Sequence, residues 1–193
     1  APLGEKGGAK LMVEEGVMNN PKVDAIFGLH AWPGKVGTVE YRSGPTMAAA
    51  ERMRITVIGS QTHGAVPWKG VDPIAISSQI ITALQTIVAR EVNITQVPAV
   101  VTIGSIHGGV RNNIIPEEVV MEGTIRTFND EVRKDIHDSI RKKAEMIASA
   151  SGATAKVEIF SDIAKVTFNE PSLTDKMVPS LERVYGKENV KIT

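Results

Sequence analysis

The sequence predicts an α+β chain organised around a central β-α-β-β-α-β unit, and three observations predict it. Residues 52–58 alternate, with Met53, Ile55 and Val57 on one face. A glycine-rich loop then leads into Asp72-Pro73, an N-cap residue followed by a residue suited to the first helical position. Asn129 offers the same kind of start to a second amphipathic helix.

In order, the unit reads as a strand over 52–58 and a helix over about 72–91, with Ile74, Ile80, Ile81, Leu84, Ile87 and Val88 as its apolar stripe. A strand follows over about 98–106, and another over about 117–127 with Val119, Met121 and Ile125 on one face. A helix over about 130–149 presents Val132, Ile136, Ile140 and Ile147, ends near Gly152 and precedes a strand over about 155–160. That order implies a four-stranded antiparallel sheet with both helices on one face, a ferredoxin-like arrangement. Edge strands must be covered or paired, and the alternating strand 98–106 is a candidate edge for an isologous dimer.

The flanks read differently. Residues 5–19 have helical periodicity, and Val23 to Trp32 form a nearly continuous apolar run that predicts a strand buried on both faces. Gly37 to Arg42 reads as a further strand, and Ser43-Gly-Pro-Thr46 as a domain boundary. Asn169-Glu-Pro171 reads as a turn, 172–185 as an amphipathic helix ended by Gly186, and the last residues as a strand beginning. The first and last residues read as internal to a longer protein.

Composition narrows the function. Lys+Arg and Asp+Glu both number 22, so the balanced charge argues against a nucleic-acid or anionic-membrane partner. With no cysteine there is no disulfide, thiolate ligand or thiol nucleophile, and the compartment is left open between cytoplasm and periplasm. No apolar run reaches the roughly 20 residues of a membrane span. No phosphate loop and no Gly-x-Ser-x-Gly occurs.

The histidines are the remaining chemistry. His63 lies in the loop between strand and helix, either merely solvated or reaching out to a ligand. His30 ends the apolar run, where it is either a core histidine bonded to a carbonyl or a ligand-facing residue. His107 precedes Gly108-Gly109 and is structural or substrate-facing; His137 falls among charged helix neighbours and reads as solvated. None forms a His-x-x-x-His pair or a local metal cluster.

Four motifs occur in order: Gly28-Leu-His-Ala-Trp-Pro33; Gly59-Ser-Gln-Thr-His-Gly-Ala-Val-Pro67 with Gly70-Val-Asp-Pro73; Gly104-Ser-Ile-His-Gly-Gly109 with Asn113-Ile-Ile-Pro-Glu117; and Gly123-Thr-Ile-Arg-Thr-Phe128. Over nearly the whole chain they resemble the metal-dependent N-acyl-amino-acid amidohydrolases, which include aminoacylases, hippurate hydrolases and metallo-carboxypeptidases. The resemblance implies a catalytic domain with two divalent metals (Zn, Mn or Co) and an inserted satellite domain for lid and dimerisation. Residues 1–46 would end the first half of the catalytic domain, 47–162 would be the satellite domain, and 163–193 would begin the return. The Glu-Glu pair that supplies the general base and the remaining metal ligands would lie outside this chain, leaving the fragment inactive alone.

By the same resemblance His30 is a metal ligand, and His63 reaches a partner subunit's site to bond the oxyanion. Asn113 and the Gly108-Gly109 backbone would bind substrate. Arg126, 13 residues after Asn113, would hold the substrate carboxylate with its planar fork. The implied partners are a small N-acyl amino acid or peptide and a second copy of the chain. One departure is Trp68, where many relatives have His; it either packs on the domain face or favours a flat, apolar acyl group. Two other readings stand beside this one: a non-catalytic ferredoxin-like dimerisation or binding module, and a related aminopeptidase-like or deacylase enzyme without carboxylate recognition.

Overall fold

The structure, a computed structural model, describes residues 8–193, without the side chains of Asp162 and Ile163. Its contacts divide the chain into two units, residues 48–165 and residues 1–47 with 166–193.

The first unit is built from alternation. Strand β3 (Ala49–Ile58) buries every second residue, and Met53, Ile55 and Val57 are wholly enclosed. It lies between β7 (Glu118–Thr127) and β8 (Thr154–Ala164), and β5 (Ala99–Gly108) completes an antiparallel sheet of order β5-β7-β3-β8. Strand β5 is thus an edge strand. On β7 the inward set is Val119, Met121 and Ile125, so Arg126 faces the other way and is exposed.

Helix α2 (Pro73–Thr86) starts where its cap requires: the Asp72 carboxylate accepts the Ile74 and Ala75 N–H groups at 2.8 and 3.3 Å. A single π-turn, Ile87–Glu91, prolongs it. Helix α3 (Asp130–Ala150) is capped in the same way by Asn129. Both helices pack on the sheet and on each other, and their buried side chains join the inward sheet residues in one apolar cluster. Ile80, Leu84 and Ile87 are buried as the stripe predicts. Ile74 is not: it stands half exposed at the first turn, because the core side of α2 is set by Ile76 and Ile80.

Two short strands, β4 (Thr62–His63) and β6 (Ile114–Ile115), pair antiparallel beside this sheet. A 3₁₀ turn, Pro67–Lys69, follows β4.

The second unit contains α1 (Gly8–Glu14), β1 (Val39–Tyr41), β2 (Gly44–Met47), β9 (Thr167–Asn169), α4 (Pro171–Tyr185) and β10 (Val190–Ile192). Strands β1 and β10 run parallel, and β2 and β9 antiparallel. Helix α4 is capped by Glu170, and Gly186 ends it at φ +82°, a backbone angle that favours glycine. Residues 5–7 of the expected first helix lie outside the described residues, and α1 is shorter than its periodicity predicts.

The apolar run Val23–Trp32 corrects a prediction, since it forms no strand and Ile26 and Leu29 are 75% and 83% exposed. A strand apolar on both faces forms only between neighbouring strands and under covering layers. Among the described residues nothing supplies them for this run.

Truncating Ile140, which is fully enclosed, to alanine should lower the unfolding free energy by about 3 kcal/mol. The same change at Ile74 should cost less than about 0.5 kcal/mol. Urea unfolding of both variants checks the pair.

Candidate active-site elements

The loop after β3 is held tightly to the sheet. The Gly59 N–H donates to the Glu117 carbonyl at 2.8 Å, and Ser60 and Val71 exchange two backbone bonds of 2.9 and 3.0 Å. A Cβ on Gly59 would lie 2.3 Å from the Val71 carbonyl oxygen, so no larger residue fits there. From this base β4 carries His63 outward.

His63 stands opposite Ile114 in the β4–β6 pair, and the next residue, Gly64, donates its N–H to the Asn113 carbonyl at 2.8 Å. The fold therefore brings His63 and Asn113 together, both exposed. The Ala65 N–H donates to His63 Nδ1 at 3.1 Å. An Nδ1 that accepts leaves the proton of the neutral ring on Nε2, which can donate outward.

Arg126 is placed elsewhere. It pairs with Ala50 and Val100 near one end of β7, whereas the His63 loop is tied to the other end, next to Glu118. Glu118 and Arg126 are eight residue steps apart on this strand, roughly 26 Å at the usual rise. Arg126 Nη1 donates to the Ile125 carbonyl at 3.0 Å, to the Glu51 carbonyl at 3.3 Å and to the Thr124 hydroxyl.

Gly108 and Gly109 line an open depression with Gln61, His107, Val110 and Glu118. Both also have local reasons to be glycine. A Cβ on Gly108 would press to 2.6 Å from a Val119 methyl, and Gly109 has φ +80°. Trp68 does not pack on the domain face, since it is 76% exposed in the turn after His63. The three-residue 3₁₀ turn that carries the ring buries none of its residues.

In the second unit His30 is exposed, so it is not a core histidine. Its Nδ1 lies 2.6 Å from the Ala31 carbonyl oxygen, which accepts from it and leaves Nε2 as the free lone pair. Its ring meets Trp32 edge-on at 5.6 Å. Among the described residues no group of three His, Asp or Glu side chains could hold a metal ion.

One cluster is missed by the sequence reading. His137, expected to be solvated, is only 14% exposed and its Nε2 lies 2.8 Å from the Glu51 carboxylate. Glu51 is 1% exposed, on the core face of β3, and Arg133 approaches its other oxygen at 3.7 Å. Burial pushes the Glu51 carboxyl up, but hydrogen bonds from His137 and Ser161 and the charges of His137 and Arg133 outweigh it, so its pKa is lowered overall. The signal was present: Glu51 is in phase with Met53, and an inward carboxylate needs a partner.

The geometry defines a class first, a two-helix, antiparallel-sheet domain that carries exposed polar groups at its loop end. The family follows from comparison. Residues 50–151 match the M20 peptidase dimerisation domain, and the chain belongs to that family. Thermostable carboxypeptidase 2 of Saccharolobus solfataricus is 39% identical over 184 residues, covering 94% of this chain and 46% of the relative. N-acetyl-L-cysteine deacetylase of Bacillus subtilis is 43% identical over 159 residues, 81% of this chain and 38% of the relative. A solved dinuclear metal binding peptidase of the M20 family from Bacillus subtilis superposes with TM-score 0.73 at 32% identity, over 96% of this chain and 44% of that one. The chain thus spans less than half the length of these relatives.

A lowered Glu51 pKa stabilises the fold above the carboxyl's unfolded value of about 4.5, and that contribution is lost as pH falls through the lower folded value. Unfolding free energies measured from pH 6 downward should therefore drop below about pH 4.5, and Glu51→Gln should flatten that drop.

Proposed function

We propose that the chain is part of a metal-dependent amide hydrolase that cleaves N-acyl amino acids or short peptides, and that it works as a homodimer. The observation that carries this reading is the separation of His63 and Asn113 from Arg126 along β7, together with family membership. A gap of that length exceeds a small N-acyl amino acid. One copy's His63 and Asn113 and the same copy's Arg126 therefore serve two different substrates, as in a symmetric dimer whose sites are completed in trans.

In this reading residues 47–162 are the satellite domain, with the ferredoxin-like arrangement that the strand order and the two packed helices support. The free edge β5 is where a second copy would pair. The outward Nε2–H of His63 donates to the oxygen that gains charge as the acyl carbonyl is attacked. Asn113, fixed beside it, supplies a second polar contact. Arg126 holds the substrate carboxylate through the nitrogens that its backbone contacts leave free. Gly108 and Gly109 border the depression next to this loop, and the exposed Trp68 ring suits a flat or apolar acyl group.

The metal requirement fits this chain in one place. His30 offers its Nε2 lone pair as a single ligand, and the described residues form no group of three donors that could hold a metal ion. Two divalent cations, when bound by the whole enzyme, would supply an activated water and a polarised carbonyl. The 193-residue chain alone is inactive in this reading.

In the whole enzyme, His63→Ala should lower kcat by about 100-fold or more with little change in KM. Arg126→Ala should raise KM for N-acetyl amino acids while sparing substrates without a free carboxylate. Steady-state kinetics on such a substrate panel, with Zn²⁺, Mn²⁺ or Co²⁺ added, checks both. Equal losses on both substrate types would favour an enzyme without carboxylate recognition.

A further inference from the structure

Glu51 is an expensive residue for its position. Its neighbours on the core face of β3 are Ala49, Met53, Ile55 and Val57, and an apolar side chain would continue that face without desolvating a charge. Instead the carboxylate is buried against α3, where His137 Nε2 meets one oxygen at 2.8 Å. Ser161 also lies by the carboxylate, but the oxygen that Arg133 approaches meets no donor at hydrogen-bond distance: Arg133 stands 3.7 Å away and is shared with Asp130. Stability alone does not account for such an arrangement.

The backbone at Glu51 shows what the anchor secures. The β3–β8 ladder shifts register between Ala50 and Arg52, so Glu51 sits where pairing to β8 is interrupted. Its carbonyl oxygen accepts the Thr124 hydroxyl at 3.0 Å and Arg126 Nη1 at 3.3 Å. Thr124 in turn accepts from the same Nη1. The same Nη1 also donates to the Ile125 carbonyl at 3.0 Å, so the guanidinium is held by one nitrogen, and one of its supports is the carbonyl of the residue whose side chain is tied to α3. Arg126 Nε and Nη2 are left to meet a ligand.

We propose that Glu51, gripped by His137 and Arg133, is a positioning residue that holds the β3 backbone at the interrupted ladder and so aims the Arg126 fork at the substrate carboxylate. The inference rests on the reading of Arg126 as the carboxylate anchor. It makes the contact between α3 and β3 part of substrate recognition, with His137 acting through Glu51 and never touching substrate.

The test uses the full-length enzyme with N-acetyl-L-methionine and N-acetyl-L-methioninamide, which lacks the carboxylate. His137→Leu removes the donor to Glu51, and His137→Gln keeps one. His137→Leu should raise KM for the acid about fivefold, leave its kcat within about twofold and leave KM for the amide unchanged. His137→Gln should restore the wild-type KM. In an Arg126→Ala background His137→Leu should add nothing, because the group it positions is gone. Equal effects on acid and amide, or a full additive effect in the Arg126→Ala background, would overturn the inference. If Arg126→Ala separates the two substrates and His137→Leu does not, the positioning role alone fails. If Arg126→Ala treats them alike, the anchor reading fails and takes this inference with it. Should His137→Leu unfold, Glu51→Gln is read in the same way; unfolding of both, with His137→Gln still wild-type on both substrates, assigns a structural role and rejects the proposal.

Discussion

The two-residue ladder between β4 and β6 is the smallest element of the fold and the one on which the functional reading depends. It sets His63 opposite Ile114 and places the Asn113 carbonyl on the Gly64 N–H. Two pairs alone would not hold a strand in water. The ladder stands because the chain on either side is tied down, by Gly59 to Glu117 and by Ser60 to Val71. The exposed imidazole is thus carried on backbone that is tied down on both sides.

The central strand β3 serves two ends at once. One end leads through Gly59 to His63; the other carries Glu51, on whose carbonyl the Arg126 guanidinium rests. Between them the enclosed Met53, Ile55 and Val57 join the sheet to both helices. The close packing of this core keeps the two polar ends apart, and in the proposed reading each end serves a different reaction centre. Family membership, as a peptidase dimerisation domain, agrees with that division.

Much of the satellite-type domain was legible in the residues. The alternation at Met53, Ile55 and Val57 and the caps Asp72 and Asn129 are local signals, and local signals survive tertiary packing. Other features were not legible because they depend on what lies alongside. The run from Val23 to Trp32 reads as a strand only if neighbours cover it, and here it is extended and exposed. His137 read as solvated because its helix neighbours are charged, while its partner is 86 residues away on another element. Trp68 could be weighed only after its exposure was known. For the site, the grouping of His63 with Asn113 follows from a register that no spacing reveals, and so does the distance of Arg126 from both.

The central claim is that each reaction centre draws His63 from one copy and Arg126 from the other. Mixing subunits of the whole enzyme tests it most directly. His63→Ala and Arg126→Ala homodimers are each assayed on an N-acetyl amino acid, then unfolded and reassembled together. The account predicts that activity reappears on mixing, because the hybrid contains one centre with both residues intact. Reassembled hybrids no more active than the average of the two parent dimers would contradict it.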